Sequence, residues 1–260
     1  MIWNEEAEKA LARVPFFVRG KVRREIEKEA AGQGSHHVLP EHVRDCRKKC
    51  LSRKSFEPGG FQIETCFGSN GCENRAVRSE ALVAELERNF AGFFKERLNG
   101  PLKMHHEFRI CVSDCPNACS RPQIADIGII GALRPRVSCQ PCSGCGVCIS
   151  ACIENALETQ RGACAPGIDK DKCLMCGKCV SACPSGVLCE DRKGWRIQVG
   201  GKLGRHPQLG KELEETHSKE EVLAIAQRCV DVYCTHNIAG ERLGAILSRI
   251  GYDLIERSEN

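Results

Sequence analysis

Two runs of cysteine carry the densest chemistry in this chain. The first is Cys142, Cys145, Cys148 and Cys152, spaced C-x2-C-x2-C-x3-C; the second, Cys173, Cys176, Cys179 and Cys183, repeats that spacing and is followed by Pro184. Thiolates are ligands for soft metals, and two-residue spacers let three of them hold three corners of one iron–sulfur cluster. The fourth cysteine of such a run serves the neighbouring cluster. This assigns Cys142, Cys145, Cys148 and Cys183 to one 4Fe-4S cluster, and Cys173, Cys176, Cys179 and Cys152 to another. Zinc is the competing reading, and two complete copies of the spacing argue against it. Ile153 departs from the pattern, since proline is usual at that point.

A second group of thiols lies outside these runs. Cys115-Pro-Asn-Ala-Cys119 is expected to open a helical turn, with Pro116 at the first helical position, so that two thiols one turn apart face one centre. Two thiolates are half of a four-iron site, and Cys66 and Cys72, in a Gly-containing loop, are the available other half. Cys111 lies four residues early on a strand and reads as core. Cys46 and Cys50, at i and i+4 with no second pair near, read as ordinary helix residues. Cys139, Cys164, Cys189, Cys229 and Cys234 have no ligand spacing and read as core or spare thiols.

Composition narrows the setting. The chain has 20 Cys in 260 residues, and its start, MIWNEEAEKALARV, has no apolar signal region. No apolar run approaches the roughly 18 residues a membrane helix needs. The expectation is a cytoplasmic chain with reduced thiols and no membrane insertion, in which cysteines bind metal rather than form disulfides. A net charge of +4 does not suggest a nucleic-acid partner, but it allows local basic patches around a small anion.

The elements that must position these residues follow from periodicity. Residues 1–31 read as two helices interrupted at Pro15, residues 31–40 as a linker, and 41–54 as a basic helix. GGFQIETCF reads as a strand, the segment from Asn70 to Leu98 as a long helix, HHEFRICVS as a second strand and ADIGIIGALRPRVS as a buried strand. After the Cys-rich island come a strand, a Gly-rich turn and two closing helices. The expected class is α+β: a mixed sheet with flanking helices, interrupted by a two-cluster bacterial ferredoxin-type module and preceded by a short helical segment. The expected divisions are residues 1–40, 41–138, 139–189 and 190–260.

At Thr65-Cys66, Gly68, Cys72 and Ala76, and again at Cys115-Pro116-Asn117-Ala118-Cys119, the sequence resembles the nitrite and sulfite reductase family. The likeness runs from about residue 58 to the end and includes the ferredoxin insertion of dissimilatory-type members. It implies that Cys66, Cys72, Cys115 and Cys119 hold a third 4Fe-4S cluster coupled to sirohaem, with the Cys119 sulfur shared between them. Val199-Gly-Gly-Lys-Leu-Gly-Arg-His-Pro207 resembles the family's cofactor-pocket loop. Asn117, Gly201, Lys202 and Arg205 are thereby implied on the cofactor side. VPFFVRGKVRREIEKEA resembles a small helical domain found at the end of a protochlorophyllide reductase subunit.

The implied activity is the six-electron reduction of sulfite to sulfide, or of nitrite to ammonia, fed by the ferredoxin-type clusters and an electron donor protein. Such anions call for cationic donors, and Arg121, Arg109 and Arg75 are the candidates for contact with substrate, with Arg78, Lys202 and Arg205 nearby. His105, His106 and His206 are candidate proton donors. For any one of these charges the plainer reading is a solvated surface group. Family members contain two related halves with sirohaem between them, so a homo-oligomer or a partner subunit is expected to complete the pocket. An electron-transfer subunit of a larger complex, or a sirohaem-binding protein without catalysis, are the alternatives.

Overall fold

Apolar residues spaced three and four apart near the start of the chain fold into α1 (Glu5–Ala12), α2 (Phe16–Gly32) and α3 (Pro40–Ser52). The computed structural model describes residues 1–12, 14, 16–52, 60–91, 107–159, 165–238 and 240–256. Two parallel two-residue strands, β1 (Ile2–Trp3) and β2 (His37–Val38), join the ends of these helices. Ala7, Leu11, Ile26, Ala30, Val38 and Cys46 form the buried core. Trp3 covers its edge, donating from Nε1 to Glu27 Oε1 at 2.8 Å, with Arg23 4.8 Å above its ring. Met1–Glu57 is one compact unit. The boundary expected at residue 40 therefore falls at 57/58, because α3 packs Val43 and Cys46 into the helical core.

Pro58–Asn260 is the second unit. Its centre is a mixed five-stranded sheet in the order β3-β4-β5-β8-β9. These strands are β3 (Phe61–Thr65), β4 (Phe108–Ser113), β5 (Ile127–Val137), β8 (Leu188–Val199) and β9 (Lys211–Glu212), while β6 (Leu157–Thr159) and β7 (Pro166–Ile168) pair separately. β3, β4 and β5 run parallel; β8 and β9 add antiparallel strands. β5 is apolar on both faces along Ile127–Leu133, as a central strand should be. Pro135 has no N–H for the ladder, and the β5–β8 register shifts at Arg134/Pro135.

Alternation along the strands sorts the two faces. Phe108, Ile110, Val112, Ile127, Ile129, Ile197 and Val199 enter the main core. Over them lie α4 (Glu80–Phe90), α7 (Lys219–His236) and α8 (Leu243–Ile250), with Leu82, Leu86 and Phe90 of α4 one turn apart. Phe108 meets Tyr233 edge-on at 5.1 Å. α7 starts on a capping box between Ser218 and Glu221. The alternate residues Arg109, Cys111 and Ser113 point to the opposite face. The helix expected from Asn70 starts only at Glu80, because residues 71–79 form the loop that fastens Cys72 in place.

The Cys-rich segment lies between the antiparallel neighbours β5 and β8 and contains two short helices, α5 (Val147–Ser150) and α6 (Lys178–Ala182). A last turn, α9 (Asp253–Glu256), follows α8. Among the described residues no helix is long and apolar enough to cross a membrane.

Candidate iron–sulfur and cofactor site

β3 and β4 are parallel neighbours with Thr65 opposite Val112, so both chains leave the sheet at one edge, where α/β folds place their ligands. Cys66 follows β3; Asp114 and Cys115 follow β4. Cys66 N donates to Val112 O at 3.0 Å. Its Sγ accepts from Gly68 N and from Asp114 N, each at 3.4 Å. Backbone N–H groups aimed at sulfur are what a thiolate ligand requires.

The segment 115–119 is not the helical turn expected. Ala118 N donates to Cys115 O at 3.1 Å and Arg121 N to Ala118 O at 2.9 Å, giving two successive turns. Ala118 and Arg121 have φ of 53° and 58°, the left-handed region that reverses a chain. Such residues cost about 1–3 kcal/mol each and persist where the surroundings hold them. Here Ser113 Oγ and Ser120 Oγ share a hydrogen bond of 2.7 Å across the base of the loop, and Ser120 N donates to Ser113 Oγ. The loop leaves Cys115 buried and Cys119 exposed. Burial pushes the Cys115 thiol up; the Asn117 N–H pulls it down; the sulfurs of Cys119, Cys66 and Cys72 push it up again. The other three thiols thus stand within electrostatic reach of Cys115. Four gathered thiolates need a cationic body among them, and the donor set fits an iron–sulfur cluster.

Asp114, which the sequence did not single out, ties the two loops together. It is buried, its Oδ1 accepts from Ser79 Oγ at 2.5 Å, and Arg75 Nε is paired with Oδ2 at 2.6 Å. Its carbonyl accepts from Ala76 N and Val77 N. The Asp114 side chain also stands where a Cβ at Gly68 would lie, and its carbonyl where one at Gly131 would lie. Arg75 reaches Glu80 as well, at 2.6 Å, and that bond raises its affinity for its proton. Expected among the substrate cations, Arg75 is held by two carboxylates. Arg78 and Lys193 line an open cavity of about 530 Å³ beside Cys72.

Arg109 and Arg121 come together on the opposite face of the sheet. They line a cavity of about 230 Å³ with Ser120, Cys111, Glu64 and Arg242. Arg109 Nε is buried without a hydrogen-bond partner, and Arg121 is largely exposed, with Glu64 at 3.4 Å. Arg242 is bound to Asp126, its Nη2 at 2.5 Å from Oδ2 and its Nε at 3.1 Å from Oδ1. The fully buried Asp126 also accepts from Arg109 N and Leu243 N. Burial raises its carboxyl while Arg242 and these amides pull it down. The Cys111 thiol is pushed up to about 11 by burial and by Glu64, which keeps it protonated beside this cavity.

The loop after β8 closes beside these residues. Gly201 has no room for a Cβ against the Gln123 and Ala125 carbonyls, so its part is to let the loop pack. Lys202 and Gln208 exchange backbone hydrogen bonds of 2.9 Å, and Arg205 and His206 stand exposed on the tip between them. Cys119, Asn117 and Arg121 are exposed, while Lys202 is half-buried at the base of the Gly-rich loop; thiolate, amide and cationic side chains are the donor types that suit a macrocycle carrying carboxylates. His105, His106, Cys164 and the Cys50 thiol lie outside the described residues.

Between β5 and β8 the two runs are folded alike. Each short helix follows a left-handed glycine, Gly146 at φ 71° before α5 and Gly177 at φ 74° before α6, and buries one thiol, Cys148 or Cys179. The Cys183 sulfur acts on both Cys145 and Cys148. Cys152 instead lines one small pocket with Cys173, Cys176 and Cys179. Burial pushes Cys179 up to about 11, and Cys173, Cys176 and Cys152 add to it. Cys142 Sγ accepts from Gly144 N at 3.4 Å, and Cys152 Sγ from Ala156 N at 3.3 Å. Among the described residues no three His, Cys, Asp or Glu side chains gather as they would around a single ion, whose thiolates sit about 2.3 Å away.

With this geometry in view, the chain can be placed among known proteins. The nitrite and sulphite reductase 4Fe-4S domain matches residues 59–258, and the chain belongs to that family. Residues 3–47 match the proto-chlorophyllide reductase 57 kD subunit. Over 230 residues the chain is 34% identical to the coenzyme F420-dependent sulfite reductase of Methanocaldococcus jannaschii, covering 86% of this chain and 35% of that protein. It is 31% identical over 99 residues to an anaerobic sulfite reductase subunit of Salmonella typhimurium, covering 38% of this chain and 26% of that one. The chain thus spans about a third of these relatives or less. Dissimilatory sulfite reductase I has the same fold, with a TM-score of 0.52 at 19% identity over 76% of this chain and 52% of that chain.

Proposed function

We propose that the chain is a sirohaem- and iron–sulfur-dependent oxidoreductase that reduces sulfite to sulfide, with nitrite as the second candidate substrate. The observation that carries this reading is that Cys66 and Cys115 leave the same end of two adjacent parallel strands, joined by the Asp114 N–H to Cys66 Sγ bond, with Cys72 and Cys119 on the loops that follow. In this reading those four thiolates hold one cluster, and the two crossed sets, Cys142/Cys145/Cys148/Cys183 and Cys173/Cys176/Cys179/Cys152, hold two more. When bound, sirohaem would supply the redox-active iron for the one-electron steps of the reduction.

The chain's own residues divide the remaining work. Cys119 presents its exposed sulfur to the cofactor, beside Asn117. Lys202 and Arg205 meet its carboxylates. Arg121 and Arg109 face the anion, since Arg109 Nε has a hydrogen-bonding direction unused. Asp114 holds Arg75 and Ser79, and so holds the loop of Cys72 against that of Cys115. The pocket is completed by a second copy or by a partner subunit, in keeping with the third of the F420-dependent relative that the chain spans. An electron donor protein refills the clusters.

The test is an absorption spectrum and iron count of anaerobically prepared protein, made with sirohaem available, followed by sulfite and nitrite assays. The expected result is a sirohaem spectrum, about thirteen irons per chain, of which about twelve belong to three 4Fe-4S clusters and one to sirohaem, and turnover with sulfite. Cys119→Ser should lose sirohaem coupling and keep the ferredoxin-type clusters. Full sulfite reduction by that variant, or a wild type carrying iron–sulfur absorption alone, overturns the reading.

A further inference from the structure

Leu133 on β5 touches two of the thiol sites. Its backbone N donates to Met175 O at 2.7 Å, and it is bridged to Cys176. Met175 has φ of 59°, the left-handed conformation that turns this carbonyl towards β5. A Cβ built at Gly177 would stand 3.1 Å from Leu133 Cβ, so chain and side chain are in close contact there. The Leu133 side chain is buried with Ala76 and Cys115, and Val180 of α6 packs against this group. Leu133 thus joins Cys176 and Val180 on one side to Cys115 on the other, through packed atoms. Cys145, by contrast, is exposed, as is its neighbour Val147.

We propose that Leu133 is the electron-transfer junction between the Cys152/Cys173/Cys176/Cys179 site and the Cys66/Cys72/Cys115/Cys119 site, with the Cys142/Cys145/Cys148/Cys183 site outermost. This rests on the reading that the three thiol sets hold clusters. In each passage one electron leaves the Cys152-containing site and enters the Cys115-containing site. No bond is made or broken at Leu133, and an external one-electron donor restores the oxidised site through the outer one. Tunnelling decays steeply across empty space and less steeply through bonded or touching atoms. Truncating Leu133 leaves a cavity in that path, whereas a side chain of similar volume preserves it. Leu133 is a positioning residue, since it holds no metal and touches no substrate.

The test uses the full chain with its cofactors, reduced anaerobically by a reduced plant-type 2Fe-2S ferredoxin and followed by freeze-quench EPR. Wild type and Leu133→Met are expected to show the outer and middle sites reduced first and the Cys115 site in a fast following phase. Leu133→Ala should keep its iron content and its three midpoint potentials, reduce the first two sites normally and lose the fast phase at the third. Val180→Ala, which trims the contact from α6, should slow the same phase and serves if Leu133→Ala fails to fold. Unchanged phases in both Ala variants overturn the junction. So does slowing accompanied by iron loss or shifted potentials, which marks a structural role. A wild type without iron at the Cys66/Cys72/Cys115/Cys119 site overturns the underlying reading instead, and the junction with it.

Discussion

Ser79 donates its hydroxyl hydrogen bond to Asp114 Oδ1 at 2.5 Å, with both residues buried. This one contact joins the loop that follows Cys72 to the residue that precedes Cys115. Asp114 is also paired with Arg75, whose other partner is Glu80 at the start of α4. Asp114→Ala strands a buried hydroxyl and much of a guanidinium, and it is expected to cost about 3 kcal/mol or more. On the proposed function, iron should be lost from the Cys66/Cys72/Cys115/Cys119 site first, with the iron of the two C-x2-C-x2-C-x3-C runs retained. Iron analysis with a urea unfolding curve checks both; full iron and an unshifted midpoint would refute the clamp.

The sequence shows some of this arrangement and hides the rest, for identifiable reasons. Ligand spacing is local, so the two runs and the C-x5-C and C-x3-C pairs stand out within a few residues. The apolar stretch of β5 announces a central strand for the same reason. Asp126 and Arg242 are 116 positions apart, and no local pattern links them. Asp114 looks like any other acid until Ser79, Arg75 and Gly68 close around it. The segment 115–119 carries a proline in a helix-opening place, yet Ala118 takes a positive φ that nothing in an alanine foretells. α3 has a basic helical pattern that does not say which core it joins, and Cys46 settles that only by being buried with Ala7 and Leu11.

The fourth cysteine of each run faces the other run, and this predicts which signal a mutation removes. Cys183 acts on Cys145 and Cys148, while Cys152 lines a pocket with Cys173, Cys176 and Cys179. Cys152→Ser should therefore perturb the cluster of the second run, and Cys183→Ser that of the first. EPR of the reduced variants distinguishes them. Loss of the signal belonging to the mutated residue's own run would show that the sets are not crossed.

Three arginines expected near the substrate stand in different surroundings, so their variants should behave differently. Arg109 and Arg121 line one cavity, while Arg75 is enclosed by Asp114 and Glu80. Removing a charge-assisted hydrogen bond to an anion costs about 1.5–3 kcal/mol, or about tenfold to a hundredfold in kcat/KM. Arg109→Ala and Arg121→Ala should show that loss for sulfite with iron content unchanged. Arg75→Ala should instead lower the unfolding midpoint. Steady-state kinetics beside thermal unfolding separates the cases, and equal behaviour of all three would count against the division.

His217 supplies a pH-dependent prediction away from the metal ligands. Its chain pairs with Trp195, exchanging N–H···O bonds of 2.9 and 2.7 Å, and its Nε2 is buried without a hydrogen-bond partner. Burial lowers its affinity for a proton below the ordinary value of 6.5; Arg192 acts in the same direction, and Glu221 and Glu215 oppose it. The unfolded chain accordingly takes up a proton at this imidazole at a higher pH than the folded chain does. The contribution of neutral His217 to stability is complete above about pH 6.5 and is lost as pH falls through the lower, folded-state value. His217→Gln cannot take up that proton in either state. The gap in unfolding free energy between wild type and His217→Gln should thus shift against wild type as the pH is lowered from about 8 to about 5. Urea unfolding of both proteins across that window measures it, and a gap that stays constant would show that folding leaves the His217 equilibrium untouched.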